Sequence, residues 1–217
     1  MSCDKNASFL YNINIKLTSA DIGLSFVVVY FVLEKLSIKS PDSYRGVNQT
    51  NQIMISFIEA FKKELEAEAI QTRRMLEIVP ADKMDWRPHP KSMNLKTLAT
   101  HLAEIPLMIV MGLKHDKWDF GNSPYQPADC NNPEELVACF DDCIAEARIA
   151  LDESSDDILQ NQWQMCSGDQ VWLSLEKWET FRHAMGQNAH HRAQLQVCLR
   201  LLDIPVPGPY GPSADEM

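Results

Sequence analysis

Six histidines, at positions 89, 101, 115, 183, 190 and 191, are the side chains of this chain best suited to bind a metal or move a proton near neutral pH. In the stretch "HAMGQNAHHRAQL", His183, Gln187 and His191 stand at i, i+4 and i+8. On a helix each step of four residues drifts only ~40°, so all three project from a similar face, while His190 sits ~100° round from His191. Two ligands one turn apart, joined by a third from a facing helix, is a common way for helical bundles to build a metal site. His101, among Leu98, Leu102 and Ile105, is the natural third partner. The same spacing also suits buried histidines that bind nothing, so spacing alone leaves both readings open. Glu104, one turn after His101, either orients a ligand as an outer carboxylate or is an ordinary surface glutamate, the plainer reading. His190 and Arg192 are assigned to an interface or a solvated face.

Other chemistries find little support. No Ser-His-Asp or Cys-His pair announces a nucleophile, and a chain with eight glycines carries no glycine-rich phosphate loop. Cys3, Cys130, Cys139, Cys143, Cys166 and Cys198 include no C-x-x-C pair, which argues against a structural zinc site and a dense disulfide framework. Free thiols in a reducing, cytoplasmic compartment are the expectation. Cys139 and Cys143, one helical turn apart, read as packing residues.

The elements that would position the histidines follow from apolar periodicity. From Ile53, a pattern through Ile55, Ile58, Phe61, Leu65, Ala69, Thr72, Leu76 and Val79 predicts helix one, ending before Pro80. Three prolines keep "PADKMDWRPHPKSMN" out of regular helix, and Trp86 and His89 there either line a pocket mouth or pin the loop. Ser92 or Asn94 can cap helix two, which buries Leu95, Leu98, Ala99, Leu102, Ile105, Ile109 and Leu113 and should kink at Pro106. "DKWDFGNSPYQPADCNN" reads as loop. Asn132-Pro133-Glu134-Glu135 then opens helix three with an N-cap Asn, Pro at the first position and Glu at the third. Alternation in "WQMCSGDQVWLSL" suggests a hairpin or extended crossover, and helix four runs from near Glu176 to about Leu202. The fold class expected is all-α, a four-helix bundle with long connections between helices two and three and between three and four.

A net charge of −10 makes nucleic acid or an anionic membrane surface an unexpected partner. The apolar run "IGLSFVVVYFVL" at 22–33 is 12 residues long, short of the ~20 needed to span a bilayer. Residues 1–50 differ in texture from the rest and read as an N-terminal extension of unknown role, ahead of a domain over 53–217.

"TRRMLEIVPADKMDWRPHPKSMNLKTLATHLAEIP", followed much later by "HHRAQLQVCLRLLDIPVPGPYGPSADE", resembles the DinB-like (damage-inducible protein B) superfamily of four-helix bundles. The likeness runs over roughly residues 53–217; the loop, the "THLAE" helix, the "HHR-Q-L" helix and the "YGPSADE" tail occur in family order. It implies a divalent metal, nickel or zinc, held between one histidine of the second helix and two histidines one turn apart on the fourth. Matched by motif, the first is His101 and the last His191. The middle position falls on Gln187, whose carboxamide is a weak, hard donor beside imidazole. A metal site of lowered affinity and a vestigial polar cluster both remain open.

The resemblance further implies either a metal-dependent enzyme, a low-molecular-weight-thiol S-transferase or a hydrolase acting on a small molecule, or a non-catalytic bundle with a decayed site. A homodimer is the assembly it suggests. Deleting residues 1–50 is expected to leave a soluble domain that unfolds cooperatively in a denaturant titration; a molten or insoluble product would make the extension part of the core.

Overall fold

The structure, a computed structural model, describes residues 55–122 and 124–217, and the expected extension over 1–50 lies outside them. Helix α1 spans Phe57–Leu76, so Ile55, read above as part of the helix, precedes it and is exposed. Its N-terminus is closed from two directions. Ser56 accepts from the Glu59 amide, and the carboxylate of Asp156, a hundred residues on, accepts from the amides of Phe57 and Ile58 at 3.0 and 2.9 Å. A carboxylate at a helix N-terminus meets unpaired donors and the positive end of the helix dipole. Those amides hold the Asp156 carboxyl below the usual carboxylate range.

The second apolar segment is two helices, α2 over Leu95–Glu104 and α3 over Leu107–Lys114. Pro106 has no N–H to continue the ladder, so the expected kink is a full break with a turn at Ile105-Pro106. Asn94 is the residue that caps α2, accepting from the Thr97 amide at 2.9 Å. Among the described residues, Leu95–Lys114 is the stretch long and apolar enough to cross a membrane by length and composition, and most of it is buried. Helix α4 spans Pro133–Asp152 with Asn132 accepting from the Glu135 amide, and α5 spans Lys177–Leu201 behind a reciprocal Glu176–Glu179 capping box. Helix α4 packs on α1, α2 and α3, and α5 packs on the same three from the other side, around Leu65, Leu76, Leu102, Ile109, Leu136, Leu151 and Leu195.

The all-α expectation is corrected by a small sheet built in the two long connections. Strand β1, Lys117–Asp119, pairs in parallel with β2, Gln162–Ser167, which pairs antiparallel with β3, Gln170–Glu176. The β2–β3 hairpin was one of the two readings of its sequence; it turns at Gly168, whose φ of +57° suits glycine. Strand β1 lay in a stretch read as loop, because three residues show no period of their own until β2 supplies a partner. Asp119 fastens the sheet: its carboxylate accepts from the amides of Gly168 and Gly121, both at 3.0 Å, and from Asn122. These donors, Gly168 first, hold its carboxyl down at about 2. Trp163 of β2, fully buried, enters the helical core and donates from Nε1 to the Met111 carbonyl at 3.1 Å.

Helices α3 and α5 meet at Gly112. A Cβ built there would overlap Thr180 Oγ1 and come within 2.8 Å of Thr180 Cβ. Gly112→Ala gains ~1 kcal/mol of helix propensity, while overpacking of a tight core costs about 1–3 kcal/mol. We expect a net loss of stability, seen as a lower denaturant midpoint; an unchanged or raised midpoint would show that the contact relaxes freely.

Candidate functional site

Helix α5 carries two buried cations, Lys177 at its start and Arg192, which faces α1. Arg192 is 1% exposed and pairs with Glu68 of α1 at 2.6 Å. Its Nη1 also donates to Thr72 Oγ1, and Nη2 donates to the Tyr210 hydroxyl at 2.6 Å, tying the C-terminal segment to the helices. Asn188 completes the network, accepting from Thr72 Oγ1 at 3.0 Å and donating to Glu68. Arg192 is thus neither an interface residue nor solvated, as the sequence suggested, but an internal strut. The error has a physical origin: a guanidinium is placed outside by default unless its partner, here 124 positions away, is known.

With Arg192 aimed at α1, its neighbour His191 turns toward α2. The rings of His191 and His101 lie 4.7 Å apart between centroids and nearly perpendicular, at 80°. His191 is buried, whereas His101 is open to solvent on the groove side of α2. Gln187 Oε1 stands 2.9 Å from His191 Nε2, and Gln194 Oε1 stands 2.8 Å from Nδ1. The fold thus places His101 and Gln187 each beside His191. His183 lies one turn back and lines the same cavity as His101 and Gln187. His190 is exposed and faces a different groove, beside Met93, Val197 and Cys198.

Desolvation lowers the pKa of His101, His183 and His191; the Arg182 cation adds to it at His183, and the hydrogen bond to Gln194 opposes it at His191. All three are neutral at pH 7. A neutral imidazole donates through one nitrogen only, so of the two glutamines flanking His191 one must present its amide N–H to the ring.

The donor set can be tested against a nickel or zinc ion. Among the described residues no group of three or more His, Cys, Asp or Glu side chains is arranged to hold a metal. Two imidazoles and a carboxamide meet here, and the carboxamide is engaged by His191 Nε2. That set does not fit a tightly held borderline metal, which calls for at least three nitrogen or sulfur donors or charged carboxylates.

Beyond the histidines, the cavity shows residues the sequence reading missed. It has a volume of about 310 Å³ and is walled by Ile105, Met108, Trp118, Phe120, Tyr125 and Met165. Trp118 and Phe120 are stacked at 4.9 Å, and Tyr125 stands nearly at right angles to both, at 81° and 84°. The W-x-F spacing was the available signal, since alternate residues of a strand share a face. Glu104 is the second correction: far from being a surface glutamate, it is 8% exposed and accepts from the Tyr125 hydroxyl and, at 2.9 Å, from the Ala128 amide. Burial, then Glu104, push the Tyr125 phenol up, so it remains a donor. Neither Trp86 nor His89 lines this cavity: Trp86 packs on the core, pinning its loop, and His89 is exposed.

Three solved structures share the fold. A DinB-like protein from Bacillus cereus ATCC 10987 is 18% identical with a TM-score of 0.56, the match covering 71% of this chain and 99% of that one. A DinB-like protein from Bacillus subtilis is 14% identical, with a TM-score of 0.56 over 69% and 97% of the two chains. A DinB family protein from Exiguobacterium sibiricum 255-15 is 18% identical, with a TM-score of 0.51 over 71% and 97%. At such identities the likeness concerns the fold. No curated protein matches the chain. The DinB family model matches residues 48–217.

The buried pair beneath the site generates one expectation. Removing one partner strands the other charge in the core, a loss of about 3–5 kcal/mol. Glu68→Ala should lower stability by that order in chemical denaturation; a loss under about 1 kcal/mol would show that water reaches Arg192 freely.

Proposed function

This chain belongs to the DinB family, and on that premise we propose that it binds a small molecule in the aromatic cavity beside His101, Gln187 and His191, at a site that holds nickel or zinc only weakly. The observation that carries the reading is the 2.9 Å contact between Gln187 Oε1 and His191 Nε2, a side-chain hydrogen bond in the position where the resemblance implies a metal ligand. Around it the cavity has the ordinary make-up of a ligand site, mostly apolar walls with a few convergent polar groups. In this reading α2 and α3 form one arm broken at Pro106, and with α1, α4 and α5 make the four members of a bundle. Cytoplasmic residence fits Cys130, Cys139, Cys143, Cys166 and Cys198, all free thiols.

A second reading is an enzyme that transfers a low-molecular-weight thiol or hydrolyses its substrate. It is favoured by the neutral imidazoles of His101 and His183 on the cavity wall. A neutral imidazole can take the proton of a thiol or water placed against it, so either residue would serve as general base. The aromatic walls would exclude bulk water, and Gln187 would orient the substrate's polar end.

Gln187→His separates the tight-metal and weak-metal arrangements. Restoring a third imidazole should raise nickel or zinc affinity about tenfold or more, measured by calorimetry on protein prepared without an affinity tag. Equal affinity in both proteins would remove Gln187 from the ligand position.

A further inference from the structure

Charged side chains buried inside a protein are ordinarily paired, because an isolated charge out of water is costly. The buried charges among the described residues follow that rule with one exception. Glu68 and Arg192 neutralise each other, Lys177 meets Asp116 at 3.1 Å, and Asp119 has Lys117 at 3.4 Å. Glu104 has two hydrogen bonds, from Tyr125 and Ala128, and no cationic partner within 4.0 Å among the described residues.

Its position makes the exception informative. Glu104, His101 and Tyr125 line the 310 Å³ cavity and also an adjoining one of about 400 Å³. No lysine or arginine lines the first. Lys96 borders the second, where it is tied to Asp129 and Asn131. Glu104 is the one carboxylate among the side chains that line the first cavity. Two stacked rings, Trp118 and Phe120, form one wall and Tyr125 a second at right angles, with the Met108 and Met165 thioethers beside them. Aromatic faces attract cations that carry alkyl groups, and polarisable sulfur tolerates them. Oxygen donors for a hard metal ion are few here.

We propose that this cavity accepts a small organic cation, an alkylated ammonium group seated against Trp118, Phe120 and Tyr125 with its charge directed at Glu104. The proposal rests on the reading of the cavity as a small-molecule site and adds the class of molecule. An anionic carboxylate ligand is disfavoured, since it would bring a second negative charge beside Glu104 with no cation to receive it.

The test uses the full chain and three soluble probes of nearly the same shape: choline, the neutral 3,3-dimethylbutan-1-ol and the anionic 3,3-dimethylbutanoate, each titrated by calorimetry. Choline should bind about tenfold or more tighter than the alcohol, and the carboxylate weakest. Glu104→Gln, which keeps an acceptor for Ala128, should bring choline down to the alcohol's affinity and leave the alcohol unchanged. Phe120→Ala should weaken both. If Glu104→Gln does not fold, the comparison of probes on the unmodified protein decides. Alcohol or carboxylate binding as tightly as choline overturns the cation assignment and leaves the small-molecule reading standing. Absence of binding by all three, at millimolar concentration, overturns both.

Discussion

Arg192 cannot be left alone in the core: stranding its guanidinium away from water and from Glu68 would cost several kcal/mol. Helix α5 is therefore held at the rotation that aims Arg192 at α1. Neighbouring helical residues lie ~100° apart, so that single constraint turns His191 toward α2, where it meets His101. Gln187, one turn earlier, follows on the same face and reaches His191. The Tyr210 hydroxyl, bound to both members of the pair, ties the C-terminal segment to the same point. The site is thus a consequence of how a buried charge is neutralised one residue away from it.

The wall facing the histidines has a different origin. It comes from the two long connections, which meet as a three-stranded sheet fastened by Asp119 across to the Gly168 turn. Trp118 of β1 and Phe120 just after it face the cavity, and the segment that follows returns Tyr125 to Glu104 at the end of α2. The helices supply polar groups at fixed positions, and the connections supply the apolar enclosure. Trp163 anchors the connections in the helical core, while Trp118, Phe120 and Tyr125 face the cavity, where ligand specificity can change.

Much of the framework was legible in the residues. The apolar periods of α1, α2 and α4 and the cap at Asn132 are local features that formed where their local chemistry pointed, while the Asn94 cap and the Gly168 turn were each one of two readings. Pro106 was legible as a disturbance but not as a full break, because the flanking residues are good helix formers on either side. Strand β1 was not legible, since a three-residue strand is defined by its partner. Arg192 and Glu104 were misplaced for one common reason: charged side chains are exposed unless something distant compensates them, and the compensating groups lie 124 and 21 positions away.

By itself, the sequence determined that His101, Gln187 and His191 lie on helices with the spacing of a ligand set, and that a carboxamide stands in the middle position. The spacing follows from the helical repeat, and the middle ligand position of Gln187 is what the resemblance to the DinB-like superfamily implies. Only the tertiary structure decided that the three side chains converge, that both nitrogens of His191 are engaged by glutamines, and that an unpaired carboxylate and three aromatic rings close the space beside them. Those depend on the rotation of one helix against another and on the docking of long connections, which are set by contacts between residues far apart in the chain.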